Sequence, residues 1–475
     1  MRHARFLTAA VVAVSLSALR AEAQRPDSLS RLVDRVFTQW DRKDSPGCAV
    51  SVVRDGRVVH ARGYGMADLE HDVPITPATV FYIGSDSKQF TGAVMALLAK
   101  DGRISLDDDV RKYIPELPQY AAPITIRHLL HHTSGLRDYY GLRDLAGDPS
   151  DGVFGDAEIL ELITRQRELN FAPGSQHLYS NSGYFLLSVI VKRATGKSLR
   201  AFADERIFRP LGMTRTHFRD DHTELVKGRA YAYAPRGDGY RLSMPNFDVV
   251  GAGGLLMPVE EFIAWDRDFY AATIGGRDVI TTTTTPGRLN DGTTLGYAFG
   301  LNVGQYKGLR TIGHGGSYGG YRADILRFPD QRLAVAAFCN LSSIAPGNLT
   351  RQVADIYLAS QLRDAAPAAR IASEDPAASS APRAAAPSEP MSAERLAELV
   401  GDYRSEELET TWRLALDGDR LMVTGGGARR ALASQGADRF TSGSQSLRFQ
   451  RDSTGRVTGF ILDAGRVRNL HFVRR

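Results

Sequence analysis

The sequence predicts a mixed α/β fold of the α+β kind. An antiparallel sheet flanked by helices is joined by a linker to a small C-terminal antiparallel β-barrel-like domain. Three observations predict it. Two apolar runs, Cys48–Arg54 and Arg57–Tyr64, flank Asp55-Gly56, a dipeptide that readily adopts the positive φ of a tight hairpin. A second pair of runs, 321–327 and 332–340, flanks Pro329-Asp330 much later in the chain. Beyond an Ala/Pro/Ser-rich stretch at 364–391, residues 392–475 carry short strand-like runs broken by Asp417-Gly418 and Thr454-Gly455.

The chain begins with Arg2 and Arg5, an apolar run over 6–19 and Ala21-Glu22-Ala23. This is the pattern of a secretory signal cut after Ala23, with a retained membrane anchor as the alternative. The run is short for a bilayer span, and no later run is longer, so no stable membrane span is expected after cleavage. The sequence therefore predicts export, to the periplasm or out of the cell, and four segments: a signal (1–23), a main domain (24–363), a linker (364–391) and the β domain (392–475).

Net charge is +5, or +3 once 1–23, with Arg2, Arg5, Arg20 and Glu22, are removed. No dense Lys/Arg run accompanies it, so nucleic acid is not an expected partner. Cys48 and Cys339 each lie in an apolar run and read as buried small hydrophobes; they meet only if the first and last strands of the sheet are neighbours.

Within the main domain, residues 29–40 have helical apolar spacing and end before Pro46-Gly47. After the first hairpin, apolar positions at Phe90, Val94, Met95, Leu97 and Leu98 predict a helix opened by Ser85 and ended at Asp101-Gly102. Residues 124–130 predict a helix N-capped by Thr125. It stops at His131-His132-Thr133. His128, His131 and His132 lack a metal-ligand spacing and read as helix-end residues that position the next loop, so no metal and no cofactor is expected. Pro173-Gly174 is a turn, and helical spacing begins again at Tyr184, which puts Tyr179 and Asn181 just before a helix. Residues 208–241 read as irregular and surface-exposed, and 251–254 as the start of a helix running through Phe262 and Trp265. Strands are expected at 299–303 and 309–312, and a closing helix at 349–362.

One pair carries chemistry. A serine hydroxyl needs a neighbouring base to become a nucleophile. Ser85 and Lys88 lie one helical turn apart on one face, and the helix N-terminus favours an oxyanion at Ser85. Alone the pair also fits an N-cap serine followed by a solvated lysine. Two later stretches, Tyr179-Ser-Asn181 and His314-Gly315-Gly316, point away from that reading.

With Ser85-Asp-Ser-Lys88, these motifs resemble, in order, those of the serine β-lactamase and penicillin-binding-protein superfamily. The resemblance is closer to its class C β-lactamase-like group, which includes D-alanyl-D-alanine carboxypeptidases, D-aminopeptidases and esterases. Leu129-Leu-His-His-Thr-Ser-Gly135 and Gly251-Ala-Gly-Gly254 also match, and the likeness runs over about 29–362. It implies a sheet with an all-helical subdomain and a set of roles. Ser85 is acylated; Lys88 and Tyr179 handle its proton. Asn181 binds the substrate amide and holds Lys88, with helix capping as its plain alternative. The backbone amides of Ser85 and Ser317 form an oxyanion hole beside Gly315 and Gly316. Many relatives carry Lys-Thr-Gly where this chain has His314-Gly-Gly316. A permanent ammonium is thus missing, which points toward esterase-like and D-aminopeptidase-like members. The resemblance implies a small ester, amide or peptide substrate, cell-wall-derived peptides included. The competing readings are a true β-lactamase or carboxypeptidase, and a non-catalytic binder of cell-wall peptides.

Overall fold

The computed structural model describes residues 28–149, 152–363, 391–436 and 438–475. The expected signal segment and all but the last residue of the expected linker lie outside the described residues.

The main sheet has six antiparallel strands in the spatial order Asn302–Tyr306, Leu309–Tyr318, Tyr321–Phe328, Leu333–Cys339, Cys48–Arg54, Arg57–Tyr64. The first strand in sequence therefore pairs with the last, with Cys48 opposite Cys339. These two central strands are buried on both faces, which is why they read as continuous apolar runs. Alternate residues serve two cores. Cys48, Val50 and Val52 pack with Val33 and Phe37 of the Ser28–Phe37 helix and Val353 and Leu358 of the Pro346–Leu358 helix. Ala49 and Val53 share a core with Phe81, Phe90 and Val94 on the opposite side, where the Lys88–Lys100 helix lies. From Lys88 to Phe208 the named elements are helices.

Three expectations are corrected. Cys48 and Cys339 are not separate buried thiols but a disulfide, because the pairing of their strands makes them direct cross-strand neighbours. No helix starts at 251: Gly251 and Gly254 sit at φ +104° and +95°, outside helical space, and Leu255–Pro258 forms a buried strand paired with Val80–Tyr82. The helix begins only at Phe262. Residues 208–241 are not a surface coil. Phe208 and Met213 are buried, His217–Phe218 joins the same small sheet, and Tyr233–Arg236 pairs with Gly239–Leu242.

The tail forms a closed eight-stranded antiparallel barrel, sealed where Tyr403 and Arg404 pair with Arg474 and Val473. Its core of Trp412, Tyr403, Phe449, Phe460 and Phe472 also takes in Leu142 and Leu145 of the Tyr139–Ala146 helix, and Trp412 Nε1 donates to the Leu145 carbonyl at 3.1 Å. Burying those two leucines contributes roughly 1.5–3 kcal/mol each. Below them, buried Arg137 donates to Glu407 Oε1 (2.8 Å), Arg468 O (2.9 Å) and Asn469 O (2.6 Å). The barrel is thus seated on the helical side of the main domain by both packing and hydrogen bonds.

Candidate active site

Ser85 stands in the Gly84–Ser87 3₁₀ turn, which runs directly into the Lys88–Lys100 helix. Lys88 is fully buried. Its Nζ donates to Ser85 Oγ (3.0 Å), Asn181 Oδ1 (2.9 Å) and Ala252 O (2.6 Å), so three acceptors meet its three donors. Asn181 opens the Asn181–Thr195 helix. Its N–H and Nδ2 both donate to Asp138 Oδ2, at 2.7 and 2.8 Å, which turns the amide so that Oδ1 faces Lys88. Asp138 is itself the N-cap of the Tyr139–Ala146 helix.

Tyr179 lies one loop away, with Lys88 Nζ 4.8 Å from its ring centre. The loop is held by His132, a buried residue at φ +56° whose carbonyl accepts from Leu178 N (3.0 Å) and whose Nδ1 accepts from Ser180 N (3.2 Å). That bond leaves the ring proton on Nε2. Burial, reinforced by nearby positive groups, pushes His132 well below the usual histidine range, so an uncharged imidazole packs 4.2 Å from the Tyr179 ring. His131 is likewise lowered, to about 4, mainly by burial. His128 instead serves the start of the Ile126–Leu130 helix: it completes a capping box with Thr125, its Nδ1 accepting from Thr125 N at 3.2 Å, so its side chain is not among those that position the following loop.

The third wall is the Leu309–Tyr318 strand. A Cβ on Gly316 would lie 1.8 Å from the Ile83 carbonyl oxygen and 3.1 Å from Ser85 N; one on Gly84 would lie 2.5 Å from Ser317 N. Glycine at both places lets strand and turn touch backbone to backbone, so the Ser85 and Ser317 backbones lie side by side. Gly315 and Ser317 are partly to fully open to the cleft. His314 is buried behind that edge and held between Gly315 O, 2.6 Å from Nδ1, and the Tyr297 hydroxyl, 3.1 Å from Nε2. It does not line the cleft.

The cleft encloses about 380 Å³ and is lined by Ser85, Tyr179, Asn181, Gly315, Gly316 and Ser317. Tyr82, Tyr140 and Tyr318 add an aromatic wall, with Tyr140 and Tyr318 rings 5.5 Å apart and Phe247 packed 4.5 Å behind Tyr318. Burial drives all three phenols upward, Tyr318 to about 12, so they present neutral rings to a substrate side chain.

The two charged lining residues were not anticipated. Asp324 lies opposite Gly315 across the strand pair, and Arg466 comes from the barrel. Asp138, outside the lining, was missed too, although an Asp before a helical run is a readable N-cap signal. Nothing local marks Arg466.

Over 98% of this chain and 100% of the other, the fold matches the octameric penicillin-binding protein homologue from Pyrococcus abyssi, with a TM-score of 0.59 and 22% identity. The D-amino acid amidase from Ochrobactrum anthropi SV3 complexed with D-phenylalanine matches over 70% of this chain and 100% of its own, with a TM-score of 0.60 and 22% identity. In sequence, the chain is 33% identical over 320 residues to a D-aminopeptidase of Gluconobacter oxydans (strain 621H). That match takes in 67% of this chain but only 60% of the relative's length. The family model for Beta-lactamase matches residues 32–360, the span that holds every motif described above except the barrel's contribution, and the chain belongs to that family.

Proposed function

We propose that the protein is an exported serine hydrolase that cleaves ester or amide bonds in small substrates, D-amino-acid amides and peptides foremost, through an acyl-enzyme on Ser85. The observation that carries this reading is the 3.0 Å contact between Lys88 Nζ and Ser85 Oγ in a cleft that Tyr179 and Asn181 also line. The D-aminopeptidase and D-amino acid amidase likenesses support the substrate class. The disulfide fits the oxidising compartment that export implies.

In this mechanism Tyr179 takes the Ser85 proton as Oγ bonds to the substrate carbonyl carbon. The developing oxyanion is held by the amides of Ser85 and Ser317, where fixed backbone donors stabilise charge without reorganising. The carbonyl–nitrogen or carbonyl–oxygen bond then breaks, and the leaving group takes the proton from Tyr179. Water repeats the sequence: it gives a proton to Tyr179 and its oxygen to the acyl carbon, and Ser85 leaves with the proton returned. Lys88 stays in place, holding Ser85 and Asn181 and favouring negative charge on Tyr179.

The test is hydrolysis of p-nitrophenyl butyrate and D-alanine amide by the purified protein and by Ser85→Ala. Both activities should vanish in the variant. Equal rates in the two proteins would refute the assignment.

A further inference from the structure

Tyr179 is flanked by two cations. Lys88 Nζ lies 4.8 Å from its ring centre, and the guanidinium carbon of Arg466 lies 4.6 Å from it. Arg466 belongs to the barrel, at the tip of the hairpin formed by Val457–Ala464 and Val467–Arg474. The tip is pinned to the main domain by backbone contacts that do not involve the Arg466 side chain. Its carbonyl accepts from Asn170 Nδ2 (2.9 Å) and Asp138 N (3.3 Å), and Arg468 N donates to Asn170 Oδ1 (2.7 Å). The side chain runs into the cleft, where it is 19% exposed.

Three further rings surround Tyr179. His132, at 4.2 Å, is kept neutral by burial; Tyr297 and His314 rings stand at 6.3 and 6.1 Å. The carboxylate beside Arg466 is Asp138, 3.8 Å from Nη1; it forms a loose ion pair that offsets part of the Arg466 charge while also accepting from two donors of Asn181. A cation over a ring face attracts a phenolate, whose charge spreads into the ring, more strongly than it attracts a neutral phenol.

We propose that Arg466 is the second cation of the catalytic centre: it reaches from the barrel to hold negative charge on Tyr179, so that Tyr179 can receive the Ser85 proton. The barrel is then part of the active site. Arg466 acts through Tyr179 and is a positioning residue. The inference rests on the hydrolase reading above, and its test is arranged to separate the two.

The test compares wild type, Arg466→Met and Arg466→Lys. Methionine keeps the apolar stem over the ring and removes the charge; lysine restores a charge. One readout is the pH dependence of Ser85 labelling by an uncharged fluorophosphonate, followed by intact mass. The other is absorbance titration at 295 nm against Tyr179→Phe, which isolates the Tyr179 phenolate. In Arg466→Met the midpoint on the acid side should rise by roughly one to two pH units in both readouts, with labelling at pH 7 slower by about 10–100-fold. Lysine should recover at least half of the shift. If methionine prevents folding, Arg466→Gln takes its place with the same expected shift. Unmoved midpoints in both readouts overturn the proposal. So does a variant with an unchanged pH profile and a raised KM only for carboxylate-bearing substrates, which makes Arg466 a substrate anchor instead. Absence of Ser85 labelling in wild type sinks the hydrolase reading itself; the absorbance titration still decides the effect of Arg466 on Tyr179.

Discussion

Gly316→Ala offers a sharp test of the oxyanion arrangement. Gly316 has no positive φ, so alanine brings no backbone strain and the effect is purely steric. Its methyl would sit 1.8 Å from the Ile83 carbonyl oxygen and 3.1 Å from Ser85 N. To reach even 3.0 Å from that oxygen, strand and turn must part by about 1.2 Å. The obstacle is backbone, not the end of a flexible side chain, so the whole edge of the strand has to give. That movement separates Ser317 N from Ser85 N. A displacement of roughly 1 Å costs about 100-fold in rate, and loss of one oxyanion donor about 100–1,000-fold, or about 2.7–4 kcal/mol. The neighbouring Gly315→Ala is the internal comparison: its methyl meets Asp324 Oδ1 at 3.7 Å and Ala323 O at 3.8 Å, which are ordinary contacts. The expected result is a kcat/KM for Gly316→Ala down by about 100-fold or more, against less than about tenfold for Gly315→Ala, measured on p-nitrophenyl butyrate at pH 7.5. Unfolding midpoints would show that both variants fold. Similar losses in the two variants, or near-normal activity in a folded Gly316→Ala, would refute the reasoning.

Two further outcomes follow from buried charge. His131 titrates near 4 in the folded protein against 6.5 unfolded, so its contribution is complete above about pH 6.5 and is lost as pH falls toward 4; at pH 5 the loss is about 2 kcal/mol. Urea midpoints at pH 7.5 and pH 5 should fall less in His131→Gln than in wild type, and an equal fall would argue against it. Arg137→Met removes the cation from buried Glu407 and the donors from two barrel carbonyls. It should destabilise by about 3–5 kcal/mol in urea unfolding; a loss under about 1 kcal/mol would mean that the barrel is held mainly by its apolar seat.

Much of the fold was legible where signals are local. The hairpins at Asp55-Gly56 and Pro329-Asp330, the helix that follows Ser85 and the Thr125 cap each declare themselves within a few residues. In the candidate cluster, Ser85 and Lys88 were legible because they share one helical turn; Tyr179 and Asn181 were joined to them through the family resemblance. Failures came where tertiary pairing decides. Leu255–Pro258 is an apolar run that periodicity cannot separate from a helix start; its partner Val80–Tyr82 and the positive φ of Gly254 decide it. Arg466 was invisible for the same reason: its place over Tyr179 depends on how the barrel docks, and no pattern within the barrel sequence records that.

The bond between Cys48 and Cys339 spans 291 residues and ties one central strand to its neighbour. Ser85, Lys88, Tyr179, Asn181 and the Gly315-Gly316 edge all lie inside that covalent ring, whereas the barrel hangs outside it. A protease that cuts any loop between the two cysteines opens the ring without releasing a fragment, so all five parts stay tethered to one another. A cut between residues 339 and 466 has no such safeguard: from then on only the packing and hydrogen bonds of the barrel's seat hold Arg466 in place.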